Sequence, residues 1–216
     1  MFANLFGFNK HRETQHVPDP LRWVVLDTET TGLNVWRDDV ISIAAIAVHL
    51  QPGFTAPRIV LSDSFEVVIR PEKVKLKREN VLIHHIGIGA QEGGYDHRQA
   101  LESFRTWVAD SPLLAFMAPF DRAMLKRSYK KAGLPALAND WLDVEPLAGW
   151  VAKDTYRYAL DERIEQFGLE CVARHTAAAD TFVTAELLLK LIPSIAPIAP
   201  TWAQFKQIGR DRPGNT

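Results

Sequence analysis

The chain has 216 residues and a formal net charge of −1, with 25 Lys and Arg against 26 Asp and Glu. That length suits one domain with tails and can bury a core without staples; the single cysteine, Cys171, excludes an internal disulfide framework. A near-neutral charge argues against holding duplex nucleic acid by bulk basicity, but it leaves room for an acidic metal site that cancels basic residues elsewhere. The start, MFANLFGFNKHRET, carries its basic residues after its short apolar stretch, so it does not read as a secretory signal. No apolar run reaches membrane-spanning length, and a cytoplasmic, membrane-free protein is the expectation.

Residues 1–20 read as an N-terminal tail ending in VPDP, which discourages regular structure. Residues 21–27, LRWVVLD, form a β-branched and aromatic run expected to be a buried strand, and TETTGLNVWRDD follows as a turn region. Residues 40–50 and 59–70 read as a second and third strand separated by QPGFTAPR, and short connections make the three antiparallel neighbours. Residues 72–94 suggest loop and short helix. Residues 96–109 carry Ala100, Leu101, Phe104, Trp107 and Val108 at helical spacing. PLLAF at 112–116 suits a buried strand, Asp121 to Lys131 a helix stopped by Gly133, and 155–167 another helix. Residues 176–192 form the strongest helical pattern, with Pro193 expected to end it. The division is therefore a tail at 1–20, a domain at 21–193, and a surface tail at 194–216 in which Trp202, Phe205 and Ile208 mark a short docking helix. Antiparallel strands followed by alternating strands and helices indicate an α/β fold with a mixed sheet covered by helices.

Three segments carry chemistry. In VVLDTETTGL, Asp27 and Glu29 lie two residues apart at a strand end, so both side chains share a face. Adjacent carboxylates repel; a hard divalent cation between them reconciles the pair, and two solvated acids near a turn is the plain alternative. In LLAFMAPFDRAML, a strand leads to Asp121 near a helix start, a place the helix dipole alone favours for an acid. In ARHTAAADTFVTAELLLKL, His175 precedes a helix and Asp180 lies in it. Five residues turn a helix by about 500°, so the two converge only if His175 sits on the loop before the first turn. A helix-start histidine and an exposed acid remain the alternatives. Lys126, Arg127, Lys130 and Lys131, and separately Lys73, Lys75, Lys77 and Arg78, read either as a guide for a nucleic-acid backbone or as solvated faces.

Together the segments resemble the DEDDh exonucleases, the DnaQ-like group that includes the proofreading epsilon subunit of bacterial DNA polymerase III. Asp27-Thr28-Glu29-Thr30-Thr31-Gly32-Leu33 is similar to the first motif of that family, Phe120-Asp121 to the end of the second, and His175 with Asp180 to the third. Lesser matches are Ile83-His84 with Ile86, Asp143 ahead of Leu147-Ala148, and Phe167-Gly168-Leu169, so that the likeness covers roughly residues 22–192. The resemblance implies a ribonuclease-H-like fold with a five-stranded mixed sheet flanked by helices. It implies a catalytic set of Asp27, Glu29, Asp121, His175 and Asp180, with two Mg²⁺ or Mn²⁺ ions held by the four acids and His175 as general base. Thr28 and Leu33 are implied to grip the terminal nucleotide. The implied function is 3′–5′ exonuclease action on single-stranded or frayed DNA in proofreading or repair, with a polymerase or repair complex as partner. The alternatives are an exoribonuclease and a nucleic-acid-binding module on an inactive scaffold. The chain departs from the pattern where the family carries His-Asn: Phe116 and Met117 stand there, either removing a polar contact to the nucleotide or forming an apolar plug. His85 stands where the family more often has glycine.

Overall fold

The computed structural model describes residues 20–70, 93–171 and 174–210. The N-terminal tail to residue 19, Ile83 to Ile86 with both histidines, and Lys73, Lys75, Lys77 and Arg78 lie outside the described residues. Five strands form one sheet: β1 (Arg22–Thr30), β2 (Val40–Gln51), β3 (Thr55–Val68), β4 (Leu113–Ala115) and β5 (Trp141–Asp143). Their order is β3-β2-β1-β4-β5. β1 is antiparallel to β2 and parallel to β4, while β2–β3 is antiparallel and β4–β5 parallel. Among the described residues six helices cover the sheet: α1 (His97–Val108), α2 (Pro119–Lys131), α3 (Val144–Ala152), α4 (Leu160–Gln166), α5 (Ala177–Ile195) and α6 (Trp202–Arg210). Among the described residues no helix is long and apolar enough to cross a membrane.

The central strand decides the layering. Alternation along β1 sends Trp23 and Val25 to one face, into a cluster shared with α3, α5 and α6, and Val24 and Leu26 to the other, against α1 and α2. A strand buried on both faces needs a near-continuous apolar run, and RWVVL supplies it. β1 also outruns its parallel neighbour: β4 pairs Val24 with Leu113 and Val25 with Leu114 and ends at Ala115. From Asp27 onward, the β4 side of β1 is therefore open for the start of α2.

Several elements differ from the expectations. β1 continues through Glu29 to Thr30, so the acids lie in the strand itself. β3 begins at Thr55, four residues before the apolar run suggests. β5 and α3 follow each other without a loop, Asp143 ending the strand and capping the helix by accepting from the Glu145 N–H. The helix expected at 155–167 is confined to Leu160–Gln166, because buried Arg163 gathers the preceding loop around itself. Its guanidinium pairs with Glu145 at 2.9 Å and Asp154 at 2.6 Å and lies 4.6 Å from the Tyr158 ring, while the Tyr158 N–H donates to Glu145. Pro193 does not end α5: the Ala196 N–H donates to the Ile192 carbonyl at 2.8 Å, and Ile195 continues the helix into the core.

The proline-punctuated segment after residue 193, expected on the surface, is packed inward. Ala196, Ala199 and Phe205 are buried. Phe205 meets Trp23 with ring centroids 5.0 Å apart, and Trp23 also meets Trp202 at 5.1 Å and Phe54 at 4.7 Å, all edge-to-face. Each such pair adds about 0.5–1.5 kcal/mol beyond area burial. Phe205→Ala is expected to lower the free energy of unfolding by about 3–5 kcal/mol. Denaturant titration checks this; a loss below about 1 kcal/mol would show that α6 is not part of the core.

Candidate active site

The site is built at the C-terminal end of β1, at the switch between an antiparallel and a parallel neighbour, where open α/β sheets form their crevices. Asp27 and Glu29 continue the Trp23 and Val25 face, which α5 covers; Thr28 continues the opposite face, toward α2. Asp121 lies in the first turn of α2 and is 3% exposed. Its Oδ1 accepts from the Thr28 N–H at 3.1 Å and the Thr28 hydroxyl at 2.7 Å. The strand N–H left open by the shortness of β4 is thereby taken by a carboxylate, and Asp121 is anchored beside Asp27. Thr28, expected at the nucleotide, commits both of its donors to Asp121.

Asp180 is placed from the other side. Thr176 caps α5 by accepting from the Ala179 N–H, which puts Asp180 in the first turn. Next to it, the Thr181 hydroxyl donates to the carbonyl of Ala44 at 3.2 Å, and Ala44 is the β2 partner of Asp27. That bond pins the helix at the level of the strand acids. Arg174 donates to Asp180 and also to Asp161 of α4, so one guanidinium bridges two carboxylates. His175 has a left-handed φ of 64° and is exposed. Asp161 is held below its ordinary range, first by the hydrogen bond from Arg174, with the charges of Arg174 and His175 adding. The four acids are close enough for charge to act between them, whereas the His175 charge acts on Asp161.

The electrostatics follow from the crowding. Burial pushes the Asp27 carboxyl well above its usual range, and the charges of Asp121, Glu29 and Asp180 push it further. Glu29 rises to about 8, by burial and then by Asp180 and Asp121. Asp121 rises to about 7 by burial, against the lowering effect of the Thr28 hydrogen bonds. A donor set of hard oxygens whose own charges obstruct one another fits divalent cations. The guanidinium on Asp180 is the cation that stands among them here. Among the described residues no group of three or more His, Cys, Asp or Glu is already gathered to hold a metal ion.

The rim comes from the segments that follow the strand ends. Leu33 and Trp36, on the loop after β1, are 86% and 84% exposed. After β4, Phe116 packs on the core while Met117 is 41% exposed, with φ of 60° and its N–H on the Asp143 carboxylate at 2.9 Å. Met117 is therefore no part of an apolar plug. The basic run on α2 divides: Arg127 and Lys131 pair with Asp39 at 3.0 and 3.1 Å, Lys130 is exposed, and Lys126, joined by Arg122 from outside the run, lines a groove of about 640 Å³ beside β5. Cys171 is half-buried, its Sγ 3.9 Å from the Ala179 carbonyl. The sequence reading missed Arg174 and Asp161, although Arg174 adjoins His175; it also left Trp36 unassigned.

The family model described as Exonuclease matches residues 24–188. The PolC-type DNA polymerase III of Staphylococcus epidermidis and that of Staphylococcus aureus are each 26% identical over 170 residues, 79% of this chain; the chain spans 11% of their length. Among solved structures, Exonuclease X in complex with 5′ overhanging duplex DNA superposes with a TM-score of 0.63 at 20% identity, covering 87% of this chain and 99% of that one. E. coli Exonuclease I in complex with an oligonucleotide gives 0.65 at 16% identity over 80% of this chain and 41% of that one. Cell-death related nuclease 4 gives 0.66 at 15% identity over 81% and 64%. The likeness places the five-stranded mixed sheet and its helices in the ribonuclease-H-like fold.

Two predictions come from this geometry. With Asp27, Glu29 and Asp121 all raised, the folded chain without metal binds more protons than the unfolded chain, so stability falls as pH rises. In EDTA the loss from about pH 5 to about pH 8.5 is expected to be on the order of 4 kcal/mol or more, at roughly 1.4 kcal/mol per pKa unit, and Mn²⁺ should remove most of it. Melts across that range check it; stability that rises with pH in EDTA would refute the crowding. Separately, Met117→Asn places a residue that tolerates the left-handed region at an exposed position. It should gain about 0.5–1 kcal/mol, and a loss above about 1 kcal/mol would contradict the exposed placement.

Proposed function

The chain belongs to the exonuclease family, in its DEDDh, DnaQ-like branch of 3′–5′ exonucleases, and on that premise we propose that it removes nucleotides singly from the 3′ end of single-stranded or frayed DNA. The observation that carries this reading is the convergence of Asp27, Glu29, Asp121 and Asp180 on one strand end, where burial first, and then the charges of the neighbouring acids, raise the Asp27 and Glu29 carboxyls. The family depends on divalent metal; we assign two Mg²⁺ or Mn²⁺ ions to these four acids. When bound, the pair stabilises charge on the attacking and leaving oxygens of phosphodiester hydrolysis.

The chain's own residues do the remaining work. Thr28 holds Asp121 at the strand end and Thr181 holds the start of α5 against β2. His175 is assigned the proton of the attacking water, a transfer for which imidazole is the side chain most often used in general acid–base catalysis. Leu33 is assigned to packing on the terminal base. A proofreading or repair assembly is the setting that trimming of frayed 3′ ends fits, and the likeness to the PolC-type polymerases supports it.

The test is a time course on matched DNA and RNA oligomers with Mg²⁺ or Mn²⁺. A 5′ label should yield a descending ladder and a 3′ label an immediate mononucleotide, with DNA the better substrate. His175→Ala is expected to lower turnover by about 10²–10⁴-fold while metal-dependent thermal stabilisation persists. Internal cuts, or a 5′-to-3′ ladder, would end the reading; near-normal turnover of the variant would remove His175 from it.

A further inference from the structure

The loop between β1 and β2 holds a feature that the proposed reaction leaves unused. Trp36 is 84% exposed, and Leu33 beside it is 86% exposed. A loose loop would fold two such side chains against the nearest apolar surface. This loop is braced so that it cannot. The Thr31 N–H donates to the Asp39 carbonyl and the Asp39 N–H returns a bond to the Thr31 hydroxyl, both at 2.9 Å. The N–H groups of Arg37 and Asp38 both donate to the Asn34 carbonyl, at 3.0 and 2.9 Å. The Asn34 side chain accepts from the Trp36 N–H at 2.9 Å, and Asp38 accepts from the Asn34 N–H at 2.8 Å.

The packing under the turn is equally specific. A Cβ on Gly32 would lie 2.5 Å from Asp38 Oδ2, so only glycine lets that carboxylate sit against the chain. Val35 packs down on the core formed with α1 and α2, and Asp39 is fixed by Arg127 and Lys131 of the helix that carries Asp121. Leu33 and Trp36 are three residues apart on the turn, and both are exposed where Val35 between them is packed inward. Arg37, next to Trp36, is exposed as well.

We propose that Trp36 is a stacking platform for an unpaired nucleobase just upstream of the 3′-terminal nucleotide, with Arg37 facing the adjoining phosphate. This rests on the exonuclease reading and extends it to how the strand is held. The occupant is argued from chemistry and position. The loop leaves the strand end that carries Glu29, so it is the rim segment nearest to Glu29 along the chain. An exposed aromatic side chain followed in sequence by an exposed guanidinium offers the two chemistries that a base and its phosphate need. Stacking takes any base, because every base has a π face, but the base must be out of a duplex. A preference for single strands would then arise partly at Trp36 and not solely at the metal site.

The test compares wild type, Trp36→Ala and Trp36→Phe on single-stranded 5′-labelled oligomers. One base stacked on an aromatic side chain is worth about 1–3 kcal/mol, so Trp36→Ala should raise KM by about 5- to 150-fold with kcat within about twofold. Trp36→Phe should recover most of the loss. An abasic site is then placed in turn at each of the three positions before the terminal nucleotide. At one position it should weaken wild type strongly and Trp36→Ala hardly at all. Equilibrium binding of the same oligomers in EDTA, read by fluorescence anisotropy, scores the platform without turnover. A wild type that cuts neither DNA nor RNA defeats the exonuclease reading. An active wild type whose abasic profile Trp36→Ala reproduces in full, or an unchanged KM, defeats the platform. Since Trp36 is exposed, the variant should melt with wild type, and a matching melt confirms that the comparison is between folded proteins.

Discussion

Four carboxylates forced onto the end of one buried strand are the constraint from which the rest of the site follows. Asp27 and Glu29 cannot move apart, because the ladder to β2 pairs them with Ala44 and Ser42. Asp121 cannot retreat, because the Thr28 N–H and hydroxyl hold it. Asp180 is pinned by a helix whose next residue bonds the Ala44 carbonyl. Like charges at this separation destabilise the fold that assembles them. The offset lies in β1 itself: Trp23, Val24, Val25 and Leu26 are buried on two faces, in two different clusters. A strand with one solvated face could supply the same pair of acids but only half of that support.

The local answers to this repulsion differ in kind. Asp121 is met by neutral donors and the first turn of a helix, which oppose the rise that burial imposes on it without delivering a full charge. Asp180 is met by the guanidinium of Arg174, which it shares with Asp161. A shared cation is the more adjustable of the two, because Asp161 offers Arg174 a partner outside the cluster. The position of Asp161 is set in turn by α4, and α4 is tied to α3 by the fully buried pair of Arg163 and Glu145. Arg163 is held by Asp154 as well as by Glu145, so a buried charge network remote from the acids helps to place the helix that carries Asp161.

What was legible in the sequence follows the same logic. Period-two alternation in RWVVLDTET put Asp27 and Glu29 on one face, and it did so because a strand's side-chain direction is fixed by the backbone alone. The first three strands and α1, α2 and α5 were readable from periodicity, and the mixed sheet from their order. β5 was not: three residues carry no period, and Asp143 serves as strand end and helix cap at once. Pro193 misled because one missing hydrogen bond near a helix end is outweighed by the burial of Ile195 and Ala196. The partners of the acids were hidden for another reason. Thr28 with Asp121, and Arg174 with Asp161, are contacts between side chains far apart in sequence or on different elements, set by which strand ends first and which helix starts where.

The division between catalytic frame and rim gives the chain's differences from its family their meaning. Because β1, β4 and β5 run parallel, the segments that leave their C-terminal ends all emerge on one edge: the braced loop at 31–39, the turn at Phe116-Met117, and the cap at Asp143. These segments make few demands on the core. Met117 replaces a family asparagine without disturbing packing because its side chain points to solvent and its N–H is satisfied by Asp143. Leu33 and Trp36 stay exposed because Gly32, Asn34, Asp38 and Asp39 hold the backbone beneath them. The acids have little freedom to vary, since each is tied to a main-chain group or a helix start. On the proposed exonuclease reading, these three rim segments are where selectivity among 3′ ends can vary, because a side chain there can change without altering the geometry of the four carboxylates.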